Sequence, residues 1–255
     1  MFNPKKIKVK FLAEQEPLKI QELENFFSGQ TNIYIDYANV RPWSERLGWH
    51  IDLERLKDFF ISFDNIKKLK IYHGTLIGDS VSESLIQHME HSGYEVHTKP
   101  VKIMRHYIDT TSIRMSSPDL LKQFIRNCLM QKYNLETIEF LNQKFKEMNN
   151  NGILFIEDRK CNFDVEIGRD MLLDYEKNSV NTFVLWSGDS DFADPVSQLL
   201  VDGKRVILFA TARRVSSELN ELTKKGLRIF DIKKIKNFIC WKREMISIPK
   251  MQKGT

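Results

Sequence analysis

Apolar residues along this chain recur in two alternating rhythms, short unbroken runs and helical spacings, and the alternation predicts an α/β fold. Residues 32–35 form a short apolar run after the breaker pair Ser28-Gly29. Leu53, Leu56, Phe59 and Phe60 then follow at helical spacing behind Asp52, a residue suited to cap a helix. Residues 69–72 read as a second strand. Ser80 is expected to cap a helix over 81–91 that Gly93 stops, and residues 94–98 read as a third strand. Two strand–helix–strand units in succession require parallel strands joined by right-handed crossovers. The rhythm resumes late in the chain, with helices expected over 164–176, 191–201 and 216–223, and strands over 180–186, 205–209 and 227–230.

Three stretches break the rhythm. Lys5-Lys6-Ile7-Lys8-Val9-Lys10 alternates charge with apolar residues and predicts an edge strand, followed by a helix over 17–27. Together residues 1–30 read as an N-terminal appendage. Residues 117–132 and 134–148 predict a helical hairpin, closed by Asn149-Asn150-Asn151-Gly152 and inserted at about 116–151. The alternating domain is thus expected over 31–236 and a tail over 237–255, aperiodic from residue 240.

Two of the predicted strands end in acid. One runs into Ile35-Asp36-Tyr37-Ala38-Asn39, the other into Ser187-Gly188-Asp189-Ser190-Asp191. An aspartate after a strand is often just a turn or cap residue. Two such ends, on strands that a doubly wound sheet could place side by side, point to a site, because ligands of open α/β sheets bind outside the carboxyl ends of the strands. A third acidic stretch begins at Asp164. Asp170 lies about 600° further round the predicted helix, on a different face, so Asp164 is the expected ligand and Asp170 a supporting or salt-bridging group. Crowded carboxylates repel unless a cation compensates them. With no His or Cys in either strand-end motif, hard oxygen donors favour Mg²⁺ or Mn²⁺ over zinc. A cation that keeps waters suits in-line attack on a phosphodiester.

These pieces resemble the NYN family, a LabA-like branch of the PIN-like nucleases. The resemblance rests on residues 35–40, on Tyr72-His73-Gly74, on residues 94–102, on Lys160 through Met171, and on Ser187 through Phe192. It implies a PIN-like, Rossmann-like open parallel sheet of five or six strands flanked by helices. It implies Asp36, Asp164 and Asp189 as central carboxylates with Asp191 close by, and Asn39 and Ser187 as polar neighbours that orient water or phosphate. Members are often ribonucleases, so RNA is the expected substrate, with DNA the other option. The predicted hairpin departs from the compact family pattern and leaves a homodimer open.

Two rivals stand beside this reading. One is an RNA- or nucleotide-binding module without catalysis. The other is a HAD-like phosphatase, suggested by Gly188-Asp189-Ser190 with Asp194. Its second nucleophile-strand aspartate is missing, however, because that position is Ala38.

The net charge of +5 is compatible with a polyanionic partner. Lys99, Lys102, Arg105, His106, Lys160, Arg213 and Arg214 are candidate phosphate contacts, which would bind without reading sequence. Trp43 and Trp49 are candidates to stack a base. The three cysteines, Cys128, Cys161 and Cys240, show neither zinc spacing nor a disulfide framework, so a reducing cytoplasm is expected. No apolar run is long enough to span a membrane.

Overall fold

The apolar runs become strands. The computed structural model describes residues 1–40, 50–177, 180–211 and 215–241. In chain order the strands are β1 (Thr31–Asp36), β2 (His50–Ile51), β3 (Ile66–Thr75), β4 (Glu95–Pro100), β5 (Lys102–Tyr107), β6 (Phe155–Lys160), β7 (Thr182–Trp186), β8 (Arg205–Ala210), β9 (Arg228–Asp231) and β10 (Cys240–Trp241). The chain divides into two units, residues 1–100 with 161–255, and Val101–Lys160.

The first unit holds a six-stranded sheet in the order β4-β3-β1-β7-β8-β9, parallel at every pairing. The mixed α/β architecture, a parallel sheet flanked by helices, is the PIN-like layout expected. Every residue of β1 and β7 is buried, which is why these strands read as unbroken apolar runs rather than alternating ones. Asp52 caps the helix Leu53–Phe60 by accepting from the Arg55 amide (2.9 Å), and the helix buries Leu53, Leu56, Phe59 and Phe60. The helix Ser80–His91 is capped by Asp79, which accepts from the Ser82 amide (2.9 Å), one residue before the expected Ser80. Ser216 caps Ser217–Glu221, and Gly226, at φ 105°, ends the turn that follows. That left-handed conformation is open to glycine at little steric cost.

Residues 7–10 are helical, not an edge strand: the helix runs Ile7–Gln15. The alternation of Lys with Ile and Val fits a strand only locally. Val9, Leu12 and Ala13 recur at helical spacing and pack on the core. The next helix, Pro17–Phe26, adds Ile20 and Leu23 to the same core.

The second unit, taken by itself, pairs β5 with β6 antiparallel and carries the helix Leu135–Asn150, capped by Asn134. The first arm of the expected hairpin is not one helix. It is a 3-10 turn, Leu121–Gln123, and a single helical turn, Asn127–Met130, separated by Arg126 in extended conformation. The Asn142 amide donates to the carbonyls of Met115 and Ser117 (2.6 and 2.7 Å), holding the preceding loop out of helical register. Neither β5 nor β6 was expected. β6 runs from an apolar start straight into Glu157-Asp158-Arg159-Lys160, with no period of two to betray it.

Candidate active site

The strand order reverses between β1 and β7, which are neighbours with Ile35 beside Trp186. One half of the sheet leads away through β3 and the other through β8, so the carboxyl ends of β1 and β7 flank a crevice. Asp36 closes β1 and is 5% exposed. It accepts hydrogen bonds from the backbone N–H and Nδ2 of Asn39 and from Ser187 Oγ, each at 3.3 Å. Asn39 Nδ2 also donates to Ser187 Oγ (3.0 Å), so Asn39 and Ser187 are the polar neighbours of this carboxylate. Burial pushes the Asp36 carboxyl above its ordinary range. Asn39 and Ser187 work against the rise, and the charge of Asp189 adds to it.

Asp189 follows β7 and caps the 3-10 turn Ser190–Phe192 by accepting from the Asp191 amide (3.3 Å). That tight turn presents Asp191 at the surface. Asp164 is the first residue of the helix Asp164–Glu176 but does not cap it: Phe163 occupies the cap position, and Asn162 Oδ1 accepts from the Asp164 amide (3.1 Å). Asp164 Oδ2 is buried with no hydrogen-bond partner. Burial pushes the Asp164 carboxyl up to about 6. The Asn162 side chain opposes the rise, while contact with the Asp191 carboxyl and the charges of Asp189 and Asp36 add to it. Asp36 closes β1, Asp189 follows the neighbouring β7, and Asp164 and Asp191 line one groove, so the four predicted carboxylates lie at one edge of the sheet.

Counter-charge in this unit goes to other acids. Lys99 pairs with Glu166 (2.5 Å), Arg169 with Asp170 (3.0 Å) and Lys70 with Asp174 (2.9 Å). Among the described residues, Asp36, Asp164, Asp189 and Asp191 form no ion pair with Lys or Arg. A hard divalent cation fits this set in donor chemistry, all oxygen, and in its unbalanced charge and bare Asp164 oxygen. The spacing is not closed in advance: among the described residues no three His, Cys, Asp or Glu side chains form a set that could hold one ion as placed.

A groove of about 730 Å³ starts at Asp164 and Asp191 and runs between the helices Asp164–Glu176 and Ala193–Val201. Val165 and Val201 line it, exposed. At its floor the helices approach closely, with the Cβ position of Gly168 3.7 Å from the Pro195 ring. Asp194, the residue of the phosphatase rival, lies in this groove rather than in the Asp36 hydrogen-bond network.

Of the predicted basic residues, Lys99 sits at the end of β4 with its ammonium 4.6 Å from the centre of the Phe163 ring and its charge given to Glu166. Lys102, Arg105 and Lys160 belong to the second unit. Arg213, Arg214, Trp43 and Trp49 lie outside the described residues. Asp170 accepts from Tyr72 Oη (2.9 Å) and from Arg169, with His97 Nδ1 at 3.5 Å. Asp174 was not singled out from the sequence. It lies one turn after Asp170 and accepts from Tyr34 Oη (2.7 Å) and Asn32 Nδ2 (2.9 Å) besides Lys70. The spacing of four residues between Asp170 and Asp174, on a helix with its own apolar face, was the available signal.

An acidic edge at the reversal point of a parallel sheet defines an α/β domain built for ligands at its strand ends. The NYN domain model matches residues 102–230, just over half of the chain, and the chain belongs to the NYN domain family, within the PIN-like nuclease superfamily. Asp164, Asp189 and Asp191 fall inside the matched stretch and Asp36 before it. A crystal structure of a protein of unknown function from Vibrio parahaemolyticus is similar over 84% of this chain and 96% of that one, at 16% identity and a TM-score of 0.47. No curated protein matches the chain. Among the described residues no helix is long and apolar enough to cross a membrane.

Proposed function

We propose that this NYN protein is a Mg²⁺- or Mn²⁺-dependent ribonuclease that cuts phosphodiester bonds within RNA. The observation that carries the reading is the bare, buried Oδ2 of Asp164 amid Asp36, Asp189 and Asp191, with nearby cations committed elsewhere. Asp36, Asp164, Asp189 and Asp191 would hold the ion. When bound, it would neutralise phosphoryl charge and lower the pKa of water. The chain's own part is positioning. Asn39 and Ser187 hold Asp36 at the end of β1, and the turn after β7 aims Asp189 and Asp191 at the same edge. Lys99, over Phe163, stands at the neighbouring end of β4 as a phosphate contact once it leaves Glu166.

The test is cleavage of labelled single-stranded RNA and DNA by pure protein with Mg²⁺, Mn²⁺ or EDTA, beside Asp189→Asn. Metal-dependent cutting of RNA that the variant loses is the expected result. Equal cutting by Asp189→Asn and wild type would falsify the assignment. The unclosed spacing of the carboxylates favours one second reading, an RNA-binding module without catalysis. Binding of RNA without cutting under any metal would select it.

A further inference from the structure

Within the second unit, β5 and β6 form a two-stranded ribbon whose two faces differ. Side chains alternate across a strand, and antiparallel partners directly opposite share a face. The register sets Ile103 opposite Arg159, Arg105 opposite Glu157 and Tyr107 opposite Phe155, so these six residues share one face. The other face includes His106, whose ring lies 6.1 Å from that of Phe124, itself stacked on Phe145 at 5.2 Å. That side is therefore the one turned to the unit's own apolar interior.

The first face is turned to solvent. Tyr107 is 67% exposed and Ile103 48%. An isolated ribbon has little reason to expose a tyrosine and an isoleucine together, and nothing in the fold of this unit covers them. The arrangement is also ordered. The Arg105 guanidinium lies 4.6 Å from the centre of the Phe155 ring, held from the side by Glu157 (3.3 Å), and the Tyr107 and Phe155 rings are 6.1 Å apart. The result is a surface of aromatic and guanidinium planes with a second arginine, Arg159, at its far end. Residues 101–160 hold ten Lys and Arg against seven Asp and Glu, an excess of three positive charges within a chain of net +5.

We infer that this ribbon face is a stacking platform for a single strand of RNA. It uses none of the four carboxylates. Unpaired bases stack on aromatic rings and on guanidinium planes, while Arg159, and Arg105 once it leaves Glu157, answer the phosphates. A duplex, with its bases stacked inside, offers no such partner. The positive balance of the unit selects a polyanion over an acid-neutral protein or a second, equally basic copy of this chain. The inference deepens the nuclease reading, on which it rests for the class of ligand, and makes the substrate single-stranded.

The test measures binding of labelled oligouridine by fluorescence anisotropy in EDTA, on the full chain carrying Asp189→Asn so that no strand is consumed. Tyr107→Ala is expected to weaken binding about tenfold and Phe155→Ala by a similar factor. Tyr107→Trp should retain the affinity, and an RNA duplex should bind more weakly than the single strand. Circular dichroism melts of each variant verify folding. Tyr107 is so exposed that its truncation should leave the melt unchanged, and ultraviolet cross-links should map to residues 102–107 or 155–160. Unchanged binding by folded Tyr107→Ala, or no binding of oligouridine by the parent chain, overturns the inference. So does a wild type that sediments as a dimer and a Tyr107→Ala chain that sediments as a monomer with RNA affinity intact. The two readings fail separately. A protein that cuts nothing but loses RNA on Tyr107→Ala keeps the platform and drops the nuclease, and the reverse pattern does the opposite.

Discussion

Three aspartates on the helix Asp164–Glu176 occupy protein environments of opposite kind. Asp174, in the last turn, is buried and receives Lys70, Tyr34 and Asn32. Asp170, one turn earlier, receives Tyr72 and Arg169. Both tyrosine hydroxyls are held strongly protonated, by burial first and by the neighbouring carboxylates second, which keeps them as donors. Asp164, at the first turn, has a buried oxygen with no donor and three other carboxylates around it. A buried carboxylate surrounded by donors holds the helix to the sheet. A carboxylate among its own kind costs stability. Absence of counter-charge, more than acidity or burial, separates the candidate site from the scaffold.

That contrast can be broken from either side. The largest effect should come at the uncompensated end. Asp164→Asn is expected to slow RNA cleavage on the order of a thousandfold, the several kcal/mol that charge neutralisation by an ion contributes. Melted in EDTA, the same variant should be at least as stable as wild type, since it removes one of several mutually repelling charges. A clear loss of stability would place Asp164 with the scaffold.

At the compensated end the signs reverse. Asp174→Asn takes the nearer of two carboxylates from the buried Lys70, leaving it Glu95 at 3.7 Å, and should cost about 3 kcal/mol in denaturant titration. Burial alone would push the Asp174 carboxyl up, but hydrogen bonds from Lys70 and Tyr34 outweigh it and hold the group below its ordinary range. A depressed carboxyl contributes stability that is present above its unfolded value, near 3.9, and is lost as the pH falls through the folded one. The gap between wild type and Asp174→Asn should therefore be full at pH 7 and shrink below about pH 4. A gap independent of pH would remove the ion pair from the account.

Smaller effects sharpen the same division. Mn²⁺ or Mg²⁺ at a hundred times its dissociation constant should stabilise wild type by about 2.7 kcal/mol over EDTA. Asp174→Asn should keep that increment and Asp189→Asn should lose it. Smallest of all, Asn39→Ala, which frees Asp36 and Ser187 from the amide that bridges them, should slow cleavage about tenfold with the melt little changed. Lost stability without lost activity would make Asn39 a structural bracket.

Much of this was legible before any coordinates. The strands of the large sheet announced themselves because burial on both faces leaves no room for polar alternation, as in Ile33-Tyr34-Ile35 and Phe183-Val184-Leu185-Trp186. Asp36, Asp189 and Asp191 could be singled out because they break such runs at their ends. Asp164 stood out less, since a first-turn aspartate is an ordinary helix residue. The structure separates it from a cap because Phe163 holds the cap position, Asn162 accepts from the Asp164 amide, and one Asp164 oxygen is bare. Asp174 escaped notice because its meaning depends on Lys70 and Tyr34, which are distant in sequence and adjacent only in the fold.

The sequence by itself determined the parallel α/β strands and their acidic ends, because these follow from local periodicity and from where apolar runs stop, while the order of the strands and its reversal between β1 and β7 came only with the fold. Tertiary structure alone decided which acids are neutralised, and it alone made β5 and β6 a ribbon with an exposed aromatic face. Ion pairs, strand registers and exposure are relations between distant segments. The same lysine or tyrosine reads identically along the chain whether its partner is a buried aspartate or open water.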